Sequence, residues 1–359
     1  MLNPADIVCL IPCAGTARRL RPLTLLRCKQ LLPLCNRPLV DHILEAVSEA
    51  GIREAALIRG PGADDLETHV GSGERWGLHV EWFVQEQPKG IADAIRQAEA
   101  YVGGRPLLVY LGDNLFGGGI APFVERFVRG HPEGLLRVRA VDDPRPFGVA
   151  VVEGDRVTTL VEKPPDPPSN LAITGLYGLP SSLFDAIRRT RPSRRGELEI
   201  TDAIAELIRP GVCVRAETWD GFWEDAGDPG ALLRANRALL GDIVPGAWGA
   251  VVTGSSVLDG LVQVGEGTRV EDTRIIGPAT IGRGCRLMQS EVGPYASVGD
   301  AAVIEGSRVR ESMVDCEAIV RDQTLGVERS ILGRGARVLG EAHQPVRAVL
   351  GDGACLQAR

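Results

Sequence analysis

The densest group of side chains able to do chemistry lies between Ile11 and Pro38. Gly15, Arg18, Arg19, Arg21 and Lys29 follow an apolar run, Ile7 to Ile11, that reads as a buried strand. A small-residue loop leaving a strand lets backbone N–H groups approach an anion, and Arg and Lys neutralise the charge the amides only partly offset, so such a loop suits a polyphosphate. A basic loop also serves as a plain solvated connection, and no GxxxxGK[ST] pattern marks a Walker A loop. Two further side chains stand at the ends of apolar runs. Gln85 can pair its amide with the imide edge of a pyrimidine or be a turn residue before a helix. Asp113, in Gly112-Asp113-Asn114, sets a carboxylate at a strand end, where it can hold Mg²⁺ or cap a turn.

Composition limits the classes open to these residues. The chain of 359 residues is long enough for two domains, and 44% apolar with 24% charged residues is ordinary for a globular protein. A net charge of −7 argues against general nucleic-acid binding, which makes the basic loop a local anion site. No apolar run reaches the ~18 residues of a membrane span. The opening MLNPADIVCLIPCAG has an acid and no basic start, so no secretory signal is expected. Eight cysteines without a CxxC pair and five isolated histidines predict a cytoplasmic protein with reduced thiols and no structural zinc.

The elements that must position the loop follow from periodicity. Leu39 to Ala50 has a helical apolar period closed by Gly51. Strands at Ala55–Ile58, Val80–Val84 and Leu107–Leu111 alternate with helical stretches, the clearest from Ile91 to Tyr101. This βα alternation predicts a mostly parallel sheet with helices on both faces and ligands at the carboxyl ends of its strands. Between Leu135 and Leu179 four short β-runs predict an added antiparallel layer. Thr201 and Asp202 are expected to cap the helix of the GELEITDAI stretch, and Asp228 with Pro229 to open a helix over Gly230–Leu240. Gly241 to Gly249 reads as a linker. Beyond it aliphatic residues recur every five or six positions, at Val264, Val270, Ile276, Ile281, Leu287, Val292, Val298, Ile304, Val309, Val314, Val320, Leu325, Leu332 and Val338. Glycine directly follows several of them, and the whole is the signature of a parallel β-helix.

Taken together, the motifs resemble those of the sugar-1-phosphate nucleotidylyltransferases. Ala14, Gly15, Arg19, Leu20, Pro22, Leu23, Thr24, Lys29, Leu31, Leu32, Pro33 and Pro38 fall on the family's loop signature. Ala17 stands where the family has glycine and Arg18 where it has threonine; if that glycine takes a positive φ, Ala17 strains the loop. Gln85 to Gly90 matches the base-binding segment, LGDN contains Asp113, and Phe147-Gly148 matches YGVV with Phe for Tyr. Glu162-Lys163-Pro164 is EKP, Thr174 to Tyr177 is TGLY, and Trp223, Asp225, Gly227 and Pro229 lie on WxDxGxP. GELEITDAI points to the glucose-1-phosphate thymidylyltransferase branch in its long form.

That resemblance implies a Rossmann-like, mostly parallel α/β nucleotidyltransferase domain, residues 1–240, followed by a left-handed parallel β-helix domain with a C-terminal tail, residues 241–359. It implies Mg²⁺ held by Asp113 and Asp225, the nucleotide bound by Ala14, Gly15, Gln85, Gly90 and Asp113, and the sugar phosphate by Gly148, Glu162, Lys163 and Tyr177. Arg19, Lys29 and Lys163 would serve catalysis. The implied partners are dTTP and glucose 1-phosphate, with UTP or another sugar 1-phosphate as the alternative, and a homo-oligomer is expected without nucleic acid or membrane. A non-catalytic nucleotide-sugar sensor would account for Ala17 and Arg18 but not for the retained Lys29, Asp113, Lys163 and Asp225. An acyltransferase in the β-helix is disfavoured because no histidine occurs in the repeats up to Leu339.

Overall fold

The computed structural model describes residues 2–130 and 133–357. The chain packs as two compact units, and their membership is discontinuous. One comprises the residues up to Thr16 with Val40–Asp225, the other Ala17–Leu39 with the chain from Ala226 onward. The proposed boundary at 240/241 concerns sequence pattern; by packing, the basic loop and the last helix before the repeats group with the β-helix.

The first unit is built on one nine-stranded sheet. Its strands are β1 (Val8–Pro12), β2 (Glu54–Arg59), β3 (His79–Val84), β4 (Leu107–Tyr110), β5 (Leu135–Ala140), β6 (Gly148–Glu153), β7 (Arg156–Glu162), β8 (Leu171–Leu179) and β9 (Arg215–Thr218), in the order β3-β2-β1-β4-β8-β5-β9-β7-β6. Strands β3, β2, β1 and β4 are parallel, as the βα alternation requires. Val8 and Leu10 join a core with Ala92, Ile95, Leu183, Ile200 and Ile204, while Cys9 and Ile11, which face the other way, are equally buried. The sheet is therefore covered on both faces. No separate antiparallel layer follows. Strand β8, buried from Ala172 to Leu179, pairs antiparallel with both β4 and β5, so the later strands extend the same sheet.

Two helices differ from the periodicity. The apolar pattern from Ile91 runs on, but the helix breaks into Ile91–Arg96 and Glu99–Val102. Gln97 Nε2 donates to the Asp93 carbonyl at 3.1 Å, a side chain competing for a backbone acceptor, and Ala98 leaves helical geometry at φ −97°, ψ 9°. The helix Ile200–Ile208 starts after Glu199 and uses neither Thr201 nor Asp202 as a cap, because the Thr201 hydroxyl is engaged by Glu162.

In the second unit the helix Pro229–Leu239 is capped as expected, with Asp228 Oδ1 accepting from the Ala231 amide at 2.9 Å. The repeats form three parallel sheets of seven, seven and five strands, a left-handed parallel β-helix. Val262 pairs with Ala279, Val303 with Ile319 and Ile331 with Val349, so one coil takes 16 to 18 residues, about three six-residue repeats. The aliphatic ladder fills the interior with two exceptions: Ile275 rather than Ile276 and Val327 rather than Leu325 point inward, Leu325 being 48% exposed. Gly299 shows why glycine follows the inward residue, since a Cβ there would lie 2.5 Å from the Cys316 amide nitrogen of the next coil. Hydroxyls continue the stack at a corner, where the Ser290, Ser307 and Gln323 amides donate in turn to Thr273, Ser290 and Ser307. No helix among the described residues is long and apolar enough to cross a membrane.

Ala17 sits at φ 44°, ψ 37°, in the left-handed region, directly before the 3₁₀ turn Arg18–Leu20. An L-residue costs about 1–2 kcal/mol there, of which glycine returns part as unfolded-state entropy. Ala17→Gly is therefore expected to stabilise the protein by roughly 0.5–1 kcal/mol in urea denaturation. An unchanged or lower midpoint would mean the loop accepts the Cβ without strain.

Candidate active site

Asp113 and Asp225 are far apart in the chain and adjacent in the fold. The backbone turns after β4, where the Gly112 amide donates to Pro12 O at 3.2 Å and the Asn114 amide to Leu111 O at 3.1 Å. The short strand Asn114–Phe116 then pairs antiparallel with Trp223–Asp225, with Asp225 opposite Asn114, so both carboxylates lie at one end of a two-stranded ribbon. Trp223 Nε1 donates to Asn114 Oδ1 at 2.7 Å, and Asn114 Nδ2 donates to Asp113 Oδ1 at 2.7 Å. The chain of bonds orients one carboxylate from the other strand. Two neighbouring hard oxygen donors suit a divalent cation that completes its shell with water and phosphate oxygens. Among the described residues no group of three acidic, His or Cys side chains offers a fuller protein-only site.

The hairpin of β6 and β7 brings Gly148 opposite Glu162. Glu162 Oε2 accepts from the Thr201 hydroxyl at 3.1 Å, and its Oε1 lies 3.6 Å from both Lys163 Nζ and an Arg195 guanidinium nitrogen. Lys163 leaves the strand at φ 40°, a strained conformation of the kind found at functional sites. Tyr177 is buried, and burial, followed by the charges of Glu162 and Asp113, raises its phenol pKa and keeps it protonated. Burial, then the charges of Glu162 and Glu206, likewise lifts Asp202 above the usual carboxylate range. The site is crowded with carboxylates, and Arg195, which also reaches Glu197 at 3.0 Å, is one of the cations that offset them.

Gln85 directly follows β3 and is buried. Its amide nitrogen donates to Gly90 O at 3.0 Å and to Asp93 Oδ2 at 2.8 Å, while Asp93 Oδ1 accepts from Arg96 at 2.6 Å. Asp93 paired with an arginine can only accept, so the amide is held one way round. Both N–H groups of the amide are used, and what Gln85 can offer a base is its carbonyl oxygen. Gly90 has φ +101°, and a Cβ there would meet Leu198 O at 2.4 Å. Leu198, in the GELEITDAI stretch, donates its amide to Lys89 O and accepts from the Ala92 amide, so that motif braces the segment from Gln85 to Gly90.

Ala14 and Gly15 leave β1 within the same unit; Arg19, in the turn Arg18–Leu20, and Lys29, in the buried turn Lys29–Leu31, belong to the other. Within the first unit the structure thus gathers Asp113 with Asp225, Gly148 with Glu162, Lys163 and Tyr177, and Gln85 with Gly90. Asp93 and Arg195 are singled out by no motif, and Thr201, expected as a cap, instead bonds Glu162. Asp93 was legible in part, as a lone acid on the apolar face of GIADAI.

A mostly parallel sheet with two aspartates at one end of the ribbon beside it suits a nucleotidyltransferase, and comparison with known proteins gives that class. Residues 9–241 match the family model described as Nucleotidyl transferase. The chain is 39% identical to glucose-1-phosphate thymidylyltransferase of Streptomyces antibioticus over 96% of this chain and 97% of that protein. The enzyme of that name from Streptomyces griseus is 37% identical over the same shares. A Bacillus anthracis protein crystallised with sucrose superposes with a TM-score of 0.62 at 36% identity, over 67% of this chain and 97% of that one. The chain belongs to the nucleotidyl transferase family. The family generally uses a divalent metal, a nucleoside triphosphate and a sugar 1-phosphate.

Gly148 has no room for a side chain, since a Cβ would come 2.8 Å from Thr201 Cγ2 and 3.1 Å from Glu162 Oε2. Gly148→Ala is expected to part Thr201 from Glu162 and cost about 1–3 kcal/mol of stability in urea denaturation, the ordinary range for overpacking. A loss below roughly 0.5 kcal/mol, the scatter of neutral surface changes, would show that the hairpin can shift to make room.

Proposed function

We propose that the protein transfers a thymidylyl group from dTTP to glucose 1-phosphate, giving dTDP-glucose and pyrophosphate. The observation that carries this reading is the pairing of Trp223–Asp225 with Asn114–Phe116, which sets two aspartates side by side next to the Tyr177–Glu162 cluster. The choice of thymidine and glucose is supported by relatives that carry that name across nearly their whole length.

In this reading a phosphate oxygen of glucose 1-phosphate attacks the α-phosphorus of dTTP, the P–O bond to the β-phosphate breaks in line, and pyrophosphate carries off the bonding pair. The attacking phosphate is ionised at neutral pH, so no general base is needed and catalysis reduces to positioning and charge neutralisation. Asp113 and Asp225 would hold Mg²⁺, whose charge, when bound, offsets that of the triphosphate. Arg19 and Lys29 neutralise the leaving phosphates, with Ala14 and Gly15 offering backbone amides. Lys163 holds the sugar phosphate, while Glu162, Gly148 and neutral Tyr177 line the sugar side. Gln85 accepts the imide N–H of the base. The reaction belongs in the cytoplasm, where nucleoside triphosphates are available.

The test is pyrophosphate release from five nucleotides against several sugar 1-phosphates with Mg²⁺ present. dTTP with glucose 1-phosphate should lead, and preference for another pair would replace the assignment. Asp113→Ala and Asp225→Ala should each lower kcat/KM at least ~100-fold, about 2.7 kcal/mol, with an unchanged circular dichroism spectrum. Normal Mg²⁺-dependent turnover in either variant would remove the metal assignment. Asp93→Asn can donate as well as accept and lets the Gln85 amide turn over. It should reduce discrimination between dTTP and dCTP about tenfold, the size of one net hydrogen bond between neutral groups. Unaltered discrimination would mean Gln85 does not read the base.

A further inference from the structure

The basic segment Ala17–Leu39 makes its contacts in the second unit on one face of the β-helix, the seven-stranded sheet that runs from Gly246–Ala247 to Val349–Leu350. Asn36 Nδ2 donates to Val298 O at 2.8 Å. Asn236 Oδ1 accepts from the Cys35 amide at 2.8 Å and from the Ser297 hydroxyl at 2.5 Å, tying segment, helix and coil through one buried atom. Leu23, Leu32 and Pro33 face Met313, Ile331 and Leu332.

Arg27 adds a pair of ionic contacts to these. Its guanidinium lies 2.5 Å from Asp315 Oδ2 and 2.9 Å from Asp352 Oδ1, and the three side chains are 12%, 7% and 18% exposed. Both carboxylates are themselves fixed: Asp315 Oδ1 accepts from the Cys316 amide and Asp352 Oδ1 from the Arg334 amide. In the coil between them stands Gly333, where a Cβ would lie 2.5 Å from Asp352 Oδ1, so a glycine keeps the arginine's second partner in place. A buried cation between two carboxylates resists separation, because leaving any member alone exposes an uncompensated charge to a low dielectric.

Arg27 is two residues before Lys29. Cys28 between them is extended at φ −64°, ψ 143°, and the Leu32 amide closes the following turn on Lys29 O at 3.0 Å. Pinning Arg27 at one end and Cys35-Asn36 at the other leaves the backbone of Lys29 little freedom. We infer that Arg27, clamped by Asp315 and Asp352, is a positioning residue for nucleotidyl transfer, and that the last coils of the β-helix are the mould in which the phosphate loop is cast. This rests on the reading of Lys29 as a phosphate-binding residue. It also changes what the β-helix is for: beyond any part in assembly, it shapes the loop that carries the catalytic cations.

The test uses the full chain with Arg27→Ala, Arg27→Lys and Asp352→Asn. Arg27→Ala should lower kcat/KM for dTTP about 10- to 100-fold, with KM for glucose 1-phosphate within roughly threefold of the parent protein. Arg27→Lys, which keeps a cation between the carboxylates, should recover most of that loss. Cleavage by trypsin after Arg18, Arg19 and Lys29, followed by mass spectrometry, should accelerate in Arg27→Ala while cleavage at Arg286 and Arg337 in the coils does not. A purely structural role would speed cleavage throughout and weaken both substrates alike, and that result overturns the proposal. So does Arg27→Ala with loop cleavage and kcat/KM within about twofold of the parent, where a broken buried ion pair should be conspicuous. Should Arg27→Ala fail to fold, Asp352→Asn carries the same readouts with one carboxylate left. If the parent protein turns over no nucleotide, the proposed function fails by itself, and the loop inference is decided by the cleavage pattern.

Discussion

If Asp113 and Asp225 share one cation, as proposed, the two carboxylates must be held together before it arrives, against their own repulsion. Like charges about 4 Å apart cost from ~1 kcal/mol in water to ~4 kcal/mol at the effective dielectric of a protein surface. The ribbon of Asn114–Phe116 and Trp223–Asp225 carries that load, and much of the first unit can be read as its support. Trp223 bonds Asn114, Asn114 bonds Asp113, and the Trp223 ring packs 5.2 Å from Phe147, beside the hairpin of β6 and β7. At the ribbon's far end Phe116 stacks against the guanidinium of Arg137, which Phe123 and Trp219 also cover. Arg137 is fully buried; burial lowers its pKa and the 2.8 Å bond to Glu217 across β5 and β9 opposes the shift. A charge in such a place makes the sheet register beneath the ribbon costly to change.

The chemistry was more legible than its scaffolding. Gly90 and Gly148 stand out in the motifs, and the structure gives each a steric reason, the close approach of Leu198 O and of the Thr201–Glu162 pair. The parallel strands could be read because they are continuous apolar runs, and the β-helix because its period repeats many times. Where the reading slips, a side chain outside the pattern decides. Ile275 and Ile276 are equally apolar neighbours, and only the coil's register selects the inward one. Gln97 breaks a helix that hydrophobicity alone continues, and Glu162 draws Thr201 away from a cap.

The harder omission concerns which parts pack together. Local pattern places the basic loop with the strand it leaves, since β1 and Ala17 are a few residues apart. Packing groups it with coils near the other end of the chain, through Arg27, Asn36 and Pro22. Periodicity reports which face of an element is apolar and has no information on a pairing such as Arg27 with Asp315. Asp93 and Arg137 were missed for the same reason: each is a charged residue whose burial depends on partners from other elements.

A parallel β-helix grows or shrinks most readily by whole coils, because each coil repeats the outline of the last. The clamp on Arg27 makes the array countable. Met313–Val314, Ile331–Leu332 and Val349–Leu350 are successive rungs, so Asp315 and Asp352 are separated by the coil that contains Gly333. Duplicating or deleting a coil there would carry one carboxylate a full rung, about 4.8 Å, out of register with the arginine. Coils before that of Thr280, to which Asn36 Nδ2 also donates at 3.5 Å, face no such count. Length variation among proteins built this way should therefore collect at the first coils, and the last ones should behave as a ruler whose marks cannot be moved.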